Sequence, residues 1–310
     1  MTRSIIVFGS INMDLVARVP QLPKPGETLS GHSFSTVPGG KGANQAVGVA
    51  KLRGSSRMIG RVGDDAFGVE LLRSLQDSGV QTDLITIDRA TSSGVAMIAV
   101  DDRSENHIIV IPGANGNVSD SDVDLLRSVL TDSSILLLQL EIPLPTVETA
   151  ATIAKQIGTT VMLDPAPAPT KFPETLYPLI DILTPNATET AQLVGFPIHN
   201  QSDADRAATV LQDKGVKTVL IKLGAQGAFC ATERDRFFVP VFPVQAIDTV
   251  AAGDAFNAGL AVGLAEGLSM REAIVWGAAS GALSTTKFGA QSSLVDRATF
   301  DDFLNQMQKP

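Results

Sequence analysis

A carboxylate that directly follows a run of small residues, Asp254, is the side chain whose surroundings most strongly suggest chemistry. The segment 248–256 is predicted to join a strand that runs through residues 237–247 to a helix over residues 255–268. The small residues at 251–253 would let a ligand approach the backbone closely. Because the first turn of a helix carries unpaired N–H groups and the positive end of the helix dipole, such a turn is suited to binding phosphate.

Asp254 is unexpected at an anion-binding turn, because a carboxylate repels a bound anion. Such a side chain is tolerated where a base is needed, for example one that accepts a hydroxyl proton as the oxygen attacks phosphorus. Aspartate is also favoured as an N-cap or first-turn residue of helices, and this segment alone favours that structural interpretation. The choice between the two depends on the rest of the chain.

Other polar residues and glycines follow predicted strands. Asn12 and Asp14 come after the strand at residues 4–8, and their spacing places both side chains on one side. A glycine-rich turn at 223–227 follows the strand at 218–222. Ligands of open parallel sheets bind at the carboxyl ends of the strands, so these features indicate a site along one edge. A turn stabilised by asparagine and aspartate backbone hydrogen bonds explains the first pair equally well.

A second glycine-rich turn surrounds Lys41, in the sequence G-G-K-G at residues 39–42. It opens a predicted helix that ends near residue 52, but its spacing differs from that of a Walker A phosphate loop. The turn suits close approach to a hydroxyl-rich ligand. A flexible turn that caps the helix is the alternative.

The elements that would position these residues alternate between strand and helix. This alternation favours a doubly wound, mostly parallel α/β sheet flanked by helices. The predicted strands, besides that at 237–247, are residues 4–8, 57–62, 134–140, 160–163, 180–183 and 218–222. The remaining predicted helices are residues 66–77, 120–130, 145–157 and 203–214. We expect a single domain over residues 1–310.

One hairpin interrupts the alternation, with strands at residues 94–100 and 107–111. Together with the extended segment 14–35, the segment 94–111 predicts a small antiparallel β lid beside the main domain. An apolar sheet face and open edges would be exposed in a monomer. We therefore expect a homodimer in which two lids pair about a twofold axis.

Composition and charge restrict the classes of partner. A chain of 310 residues with 44% hydrophobic and 18% charged residues is typical of a globular protein with a substantial core. The formal charge of −9 disfavours nucleic acid or an anionic membrane as the main partner. No signal peptide or membrane-spanning run is predicted. Because Cys230 is the one cysteine, no intramolecular disulfide can form, so we expect a cytoplasmic protein in which Cys230 is buried in a strand.

Several motifs occur in the order found in the PfkB carbohydrate kinases. The chain resembles this family in G-G-K-G-A-N at 39–44, N-A-T-E at 186–189 and D-T-V-A-A-G-D at 248–254. It is similar to the ribose-phosphorylating members of the family in further motifs, at residues 9–14, 139–141, 165–168 and 289–293. The resemblance extends over residues 4–304.

The resemblance implies ATP-dependent phosphorylation of D-ribose at its 5-hydroxyl. Asp254 would be the base, and Ala252 and Gly253 would help to form an anion hole for the γ-phosphate. Phosphorylation of 2-deoxyribose, or of another sugar or a nucleoside, is the alternative within the family. A sugar-binding sensor without turnover is a further alternative. A nicotinamide-dependent oxidoreductase is disfavoured, because no G-x-G-x-x-G follows the first strand.

The resemblance also implies roles for individual residues. The matching ribose-binding positions are Asn12, Asp14, Gly40, Lys41, Gly42, Ala43, Asn44, Glu141 and Asp254. Positions around the nucleotide are Asn186, Lys222, Leu223, Gly224, Ala225, Gln226, Gly227, Ala252, Gly253 and Ala278. Glu189 matches the residue that organises Mg²⁺ through water. A site for K⁺, formed mostly by backbone oxygens, matches Asp248, Val250, Ser284, Lys287, Gly289 and Ser293.

Three positions depart from the family's pattern. Lys222 stands where the best-known members carry a small hydroxyl residue, and it would either pair with a phosphate or be solvated. Ala278 stands where an imidazole lies near the adenine in other members, which leaves stacking on the base open. Val250 gives a variant of the motif before Asp254. The catalytic carboxylate itself is retained.

Overall fold

The computed structural model describes residues 4–103 and 105–307, and within these ranges nine strands form a main sheet and four form a small sheet. The strands are β1 (Ser4–Phe8), β2 (Asn12–Arg18), β3 (Ser33–Gly39), β4 (Ser56–Gly63), β5 (Gln81–Asp88), β6 (Gly94–Val100), β7 (Asn106–Ile111), β8 (Ser133–Leu138), β9 (Thr160–Leu163), β10 (Ile182–Leu183), β11 (Thr218–Lys222), β12 (Ala228–Ala231) and β13 (Arg236–Val239). The helices are α1 (Lys41–Lys51), α2 (Ala66–Asp77), α3 (Asp120–Val129), α4 (Leu144–Ile157), α5 (Ala187–Val194), α6 (Gln201–Asp213), α7 (Ala252–Ala265), α8 (Met270–Ser284) and α9 (Arg297–Met307).

The main sheet has the strand order β13-β12-β11-β10-β9-β8-β1-β4-β5, and its pairs are parallel except for β11–β12 and β12–β13. Both faces of its central strands are covered, so successive residues of β1 enter different cores. Ile5 and Val7 pack with residues of α1, α7 and α8, whereas Ile6 and Phe8 pack with residues of α3, α4 and α6. Such burial on both sides explains the near-continuous apolar runs of these strands. The predicted α/β fold with a mostly parallel sheet flanked by helices is confirmed.

The small sheet is the predicted lid, and it has the order β3-β2-β6-β7. Its outer pairs are antiparallel, but the central pair β2–β6 is parallel. Strand β2 starts at Asn12, four residues after β1 ends, so the lid leaves the main sheet at its carboxyl edge. The predicted lid segment 94–111 includes residue 104, and the predicted domain 1–310 includes residues 1–3, 104 and 308–310; these lie outside the described residues.

Most predicted helices and strands lie within a few residues of their observed bounds, but three expectations need correction. The strand expected through residues 237–247 ends at Val239, and residues 240–247 have no regular secondary structure. Pro240 and Pro243 account for this, because proline lacks the N–H that a paired strand donates. Helix α7 begins three residues earlier than expected, which places Asp254 inside its first turn.

The third correction concerns Asn12 and Asp14, which belong to lid strand β2 and not to a turn after β1. Strand β5 and helices α5, α8 and α9 were not predicted; β5 is half-buried with mixed polarity, and α5 spans only eight residues. Among the described residues, no helix is both long and apolar enough to cross a bilayer.

Candidate active site

A cleft of about 570 Å³ opens at the carboxyl edge of the main sheet. Parallel strands and the N-termini of helices meet there, as expected for an open α/β sheet. The charged and amide residues that line it are Lys41, Asp164, Asn186, Glu189, Lys222 and Asp254. The structure therefore brings together residues that are far apart in the sequence and that were assigned to the sugar, the nucleotide, the metal and the base.

Helix α7 starts with a turn that leaves backbone N–H groups available. Ala251 precedes the helix with φ 58°, a left-handed conformation that is uncommon for a residue with a β-carbon. Its side chain cannot cap the helix. The N–H groups of Gly253 and Asp254 have no hydrogen-bond partner among the described residues. Together with the helix dipole, these N–H groups have the properties that an anion-binding turn requires.

Asp254 is buried at this turn and is held by two amide side chains of α1. Asn44 Nδ2 donates to its Oδ2 at 2.9 Å, and Gln45 Nε2 donates to its Oδ1 at 3.0 Å. Burial raises the pKa of Asp254 to about 6, while Lys41 and the two amides act in the opposite direction. The carboxylate is therefore largely ionised at neutral pH and is basic enough to accept a proton.

Lys41 is the cation that faces this carboxylate. Burial by itself disfavours the charged ammonium, but the carboxylates of Asp254, Asp164, Glu141 and Glu189 act more strongly together and hold the pKa of Lys41 above its ordinary value. The ammonium is therefore charged at any physiological pH. It offsets part of the negative charge around the cleft.

A second lysine, Lys222, lines the cleft at the end of β11, at a position predicted to lie near the nucleotide. Lys222 Nζ is 3.1 Å from Asp164 Oδ1, and both side chains are largely buried. Asp164 also accepts a hydrogen bond from Gln45 Nε2 at 3.2 Å. Burial and the charge of Asp164 raise the pKa of Glu189, and Lys222 lowers it in part. Glu189 itself closes a reciprocal cap with Asn186 at the start of α5.

Polar residues of the lid and of the β1–β2 link include several that were predicted to bind the sugar. Asn12 accepts a hydrogen bond from Asn115 Nδ2 at 2.7 Å, and Glu141 accepts hydrogen bonds from the hydroxyl of Ser10 and from the N–H of Lys41. Burial, followed by the charges of Glu141 and Asp254, raises the pKa of Asp14 to about 7. Oxygen atoms from separate elements thus converge where a polyol would bind.

The G-G-K-G turn makes this convergence possible. Gly40 has φ 89°, and a β-carbon there would lie 2.7 Å from the backbone nitrogen of Asn12. Gly42 packs equally closely against the backbone of Ser10, and Ala43 is fully buried and donates its N–H to the Ser10 carbonyl. Gly42 and Ala43, both assigned to the sugar, therefore also fix α1 against β1.

The far end of the cleft is apolar and suits a flat base. Its walls include Val241, Phe242, Val244, Phe256, Ala278 and Ala282. Of the predicted nucleotide residues at 222–227, the structure places Lys222, Gly224, Ala225 and Gly227 in the cleft lining. Leu223 instead packs into the core, and the Gln226 amide points to the His199 carbonyl at 3.4 Å.

The residues predicted to bind K⁺ lie on two segments of the chain, and the carboxylate of Asp248 connects these segments by hydrogen bonds. Its oxygens accept hydrogen bonds from the N–H groups of Val250 at 3.0 Å and Gly289 at 2.9 Å. Lys51 Nζ, at the end of α1, donates to the carbonyls of Gln291 at 2.9 Å and Leu294 at 2.8 Å.

The other predicted members of this cation site lie on the second segment. Ser284 and Ser293 are buried, with their hydroxyl groups bonded to the carbonyls of Gly281 and Ala290. Lys287 belongs to the same turn, where its N–H donates to the Ser284 carbonyl.

Four residues of the site were not assigned from the sequence: Ser10, Gln45, Asn115 and Asp164. Asp164 follows a parallel strand directly, which is a signal that could have identified it. Gln45 lies beside Asn44 in a recognised motif, but only the fold shows that it bonds to Asp254 and Asp164. No local pattern around Asn115 indicates that it reaches Asn12.

A buried carboxylate at an anion-binding turn, beside lysines and an apolar-walled cleft, is the arrangement that a phosphate-transferring enzyme requires. The family described as pfkB family carbohydrate kinase matches residues 2–297, so the chain belongs to that family.

Individual relatives agree with this assignment. A ribokinase of Haemophilus influenzae is 43% identical over 304 residues, which cover 98% of this chain and 99% of that protein. A deoxyribokinase of Salmonella typhi is 37% identical over 301 residues, which cover 97% of this chain and 98% of that protein. Among solved structures, an Arabidopsis thaliana ribokinase complexed with ribose and ATP is similar with a TM-score of 0.91 at 33% identity, and the match covers 100% of both chains.

Proposed function

We propose that this chain transfers the γ-phosphoryl group of ATP to the 5-hydroxyl of D-ribose. The observation that carries the proposal is the position of Asp254, which is buried at the open N-terminus of α7, lines an apolar-walled cleft and lies near the carboxylates of Asp14 and Glu141, which we assign to the sugar. The similarity to ribokinases, including one whose solved structure holds ribose and ATP, supports the same substrates.

In this proposal each group near the cleft has a distinct task. Asp254 accepts the proton of the sugar hydroxyl as that oxygen attacks phosphorus. The N–H groups of Gly253 and Asp254 stabilise the charge on the transferring phosphoryl group. The lid covers the sugar and excludes water, which would otherwise compete as the acceptor.

The charge around the cleft fits a divalent cation such as Mg²⁺. The carboxylates of Asp164, Glu189 and Asp254 outnumber the ammonium groups of Lys41 and Lys222, and the phosphates of ATP add further negative charge. Within the described ranges, no group of three or more His, Cys, Asp or Glu could hold a metal by itself. Mg²⁺ usually keeps several waters and binds through one or two carboxylates plus phosphates, so Glu189 would hold it through water. When bound, the ion would neutralise phosphate charge.

K⁺ is the second proposed cofactor, held by backbone oxygens of the two segments that Asp248 joins. The carboxylate already has two N–H donors, and this fixes the distance between the segments. A monovalent cation there would add positive potential behind the anion-binding turn, because residues 248–251 lead directly into α7.

Replacing Asp254 with asparagine tests the proposal. Turnover should fall by at least about a hundredfold, the low end for losing a general base, whereas ribose affinity measured by calorimetry should change far less. Asp301→Asn, at a half-buried position of α9 remote from the cleft, is the matched control. Near-normal turnover in Asp254→Asn would exclude Asp254 as the base.

Phosphorylation of 2-deoxyribose is the second candidate, because a deoxyribokinase is also similar over nearly the whole chain. The oxygens of Asp14, Asn12 and Glu141 favour ribose, since a buried acceptor loses its partner when a hydroxyl is missing. We expect 2-deoxyribose to have a kcat/KM about ten- to a hundredfold lower than that of ribose, and Asp14→Asn to narrow this difference. Equal kcat/KM values for the two sugars would favour the second candidate.

We further propose that the chain forms a single domain, that two copies form a homodimer through their lids, and that the protein is cytoplasmic. The outer lid strand β7 exposes four consecutive apolar residues, Ile108, Ile109, Val110 and Ile111, and Met97 and Phe34 are also exposed. Side chains alternate between the two faces of a strand, and a second lid would cover the face that Phe34, Met97, Ile109 and Ile111 share. Cys230 is buried and burial raises its pKa to about 12, so it is not placed to form a disulfide. Light scattering that gives a monomer mass at every concentration, with full activity, would contradict the dimer.

A further inference from the structure

Lys222 lines the cleft at a position predicted to lie near the nucleotide, but what its charge contributes there was left open by the sequence. It is the last residue of β11, and its side chain is only 13% exposed. Burying a lysine is unfavourable unless its charge is paired. In this chain its hydrogen-bond partner is Asp164, at 3.1 Å.

The ammonium also lies beside the anion-binding turn. A β-carbon built on Gly253 would be 3.4 Å from Lys222 Nζ, so the lysine reaches the second residue of α7. The free N–H groups of Gly253 and Asp254 belong to the same turn. An ammonium and two N–H groups therefore surround one region of the cleft, an arrangement suited to an anion with several oxygens.

Two roles are compatible with this position. Lys222 could only neutralise Asp164, which would otherwise stand as an unpaired carboxylate near Asp254. Alternatively, the ion pair with Asp164 could hold the Lys222 ammonium in place until an anion binds in the cleft. Asp164 keeps a donor in either case, because Gln45 Nε2 bonds to its other oxygen at 3.2 Å.

We propose that Lys222 is a catalytic residue that leaves Asp164 and binds the terminal phosphates of the nucleotide at the α7 turn. This rests on the proposed function for the identity of the anion. The exchange is favourable because a phosphate chain carries more negative charge than one carboxylate. The exchange also requires only a small movement of the Lys222 side chain, because the lysine and Gly253 already line the same part of the cleft.

Nucleotide binding without sugar tests the proposal, with calorimetry of ATP and of adenosine. Lys222→Met should weaken ATP binding about tenfold or more, the value of one charged hydrogen bond. It should leave adenosine binding within about twofold, because adenosine carries no phosphate. Lys222→Arg should retain most of the ATP affinity. Lys155→Met is the matched control: it removes another lysine–aspartate pair, to Asp181, that Lys217 also holds.

Asp164→Asn separates the two roles. If Lys222 binds phosphate, this variant frees the ammonium and ATP affinity is equal or higher, whereas the double variant Asp164→Asn/Lys222→Met stays about tenfold or more below Asp164→Asn alone. If Lys222 only neutralises Asp164, the double variant regains normal ATP affinity, which would overturn the proposal. The proposal would also be overturned if Lys222→Met weakened the binding of ATP and of adenosine equally, or if it weakened neither.

The assignment of the sugar can fail separately. A chain that does not phosphorylate ribose but shows the selective loss of ATP affinity would contradict the proposed function and leave the role of Lys222 intact.

Discussion

Replacing Gln45 with leucine removes a hydrogen bond that stabilises the charged form of Asp254. The Gln45 amide donates to Asp254 Oδ1 at 3.0 Å and to Asp164 Oδ2 at 3.2 Å, and Gln139 orients it through a bond of 2.7 Å to its Oε1. None of these contacts involves the proposed substrates. Gln45 is therefore a positioning residue, and its loss should appear as a change in the ionisation of Asp254.

The magnitude follows from the bond that is lost. A hydrogen bond to a charged group contributes about 1.5–3 kcal/mol, and each pH unit corresponds to about 1.4 kcal/mol, so the pKa of the base should rise by about one to two units. The base must be ionised to act, so kcat/KM falls as the pH drops below the pKa. The part of this fall that Asp254 contributes should centre near pH 6 in the unaltered protein, since burial raises the pKa of Asp254 to about 6, and Asp14, whose pKa is raised to about 7, adds a fall that both proteins share.

The assay is a pH profile of kcat/KM for ribose from pH 5 to pH 9. At pH 6 the variant should be at least about fivefold less active than the unaltered protein, because a pKa rise of one unit already leaves roughly a tenth rather than half of Asp254 ionised. At pH 9 the two should be nearly equal. Gln212→Leu, which removes an amide remote from the cleft, controls for a general loss of hydrogen bonding. A Gln45→Leu profile that is lower than that of the unaltered protein by the same factor at every pH would refute the reasoning.

Three further predictions concern the sugar, the cation and the lid. Ribose binding should release protons and weaken below pH 7, because burial raises the pKa of Asp14 to about 7 and a hydroxyl donor favours its charged form; a binding heat that is independent of the buffer would contradict this. Lys51→Met should raise the K⁺ concentration for half-maximal activity, because the ammonium holds carbonyls of the segment 291–294; an unchanged K⁺ titration would exclude that role. Asn115→Ala should raise the KM for ribose about tenfold and leave that for ATP unchanged, because Asn115 fixes Asn12; equal increases would indicate a general loss of structure.

The sequence predicted the main sheet well because its strands are buried on both faces. Continuous apolar runs such as that of β8 have few alternative structures, and polar residues directly after them mark the carboxyl edge. The lid was also recognisable, since a hairpin breaks the alternation of strands and helices. The parallel pairing of β2 with β6 could not be predicted, because it joins strands that are about eighty residues apart and no turn connects them.

The residues of the candidate site that lie in a recognised sequence motif could be identified from the sequence. Asp254, Lys41 and Glu189 lie in recognised motifs, and the structure brings all three into one cleft. Gln45 and Asn115 act through other side chains, so their importance depends on distances that only the fold determines. The start of α7 was misplaced because the small residues before Asp254 do not distinguish a loop from the first turn of a helix.

Because the fold brings several carboxylates close together, the ionisation of each depends on the charge of the others. Asp14 and Asp254 both have raised pKa values, and burial is the first cause in each case. Lys41 opposes both shifts, and the carboxylates in turn keep Lys41 charged. In the free protein near neutral pH, the proposed base Asp254 is therefore largely ionised, whereas Asp14, the proposed sugar ligand, is only partly ionised. Binding of a hydroxyl donor at Asp14 would complete its ionisation and add negative charge near Asp254, which would make Asp254 a stronger base when the sugar is in place.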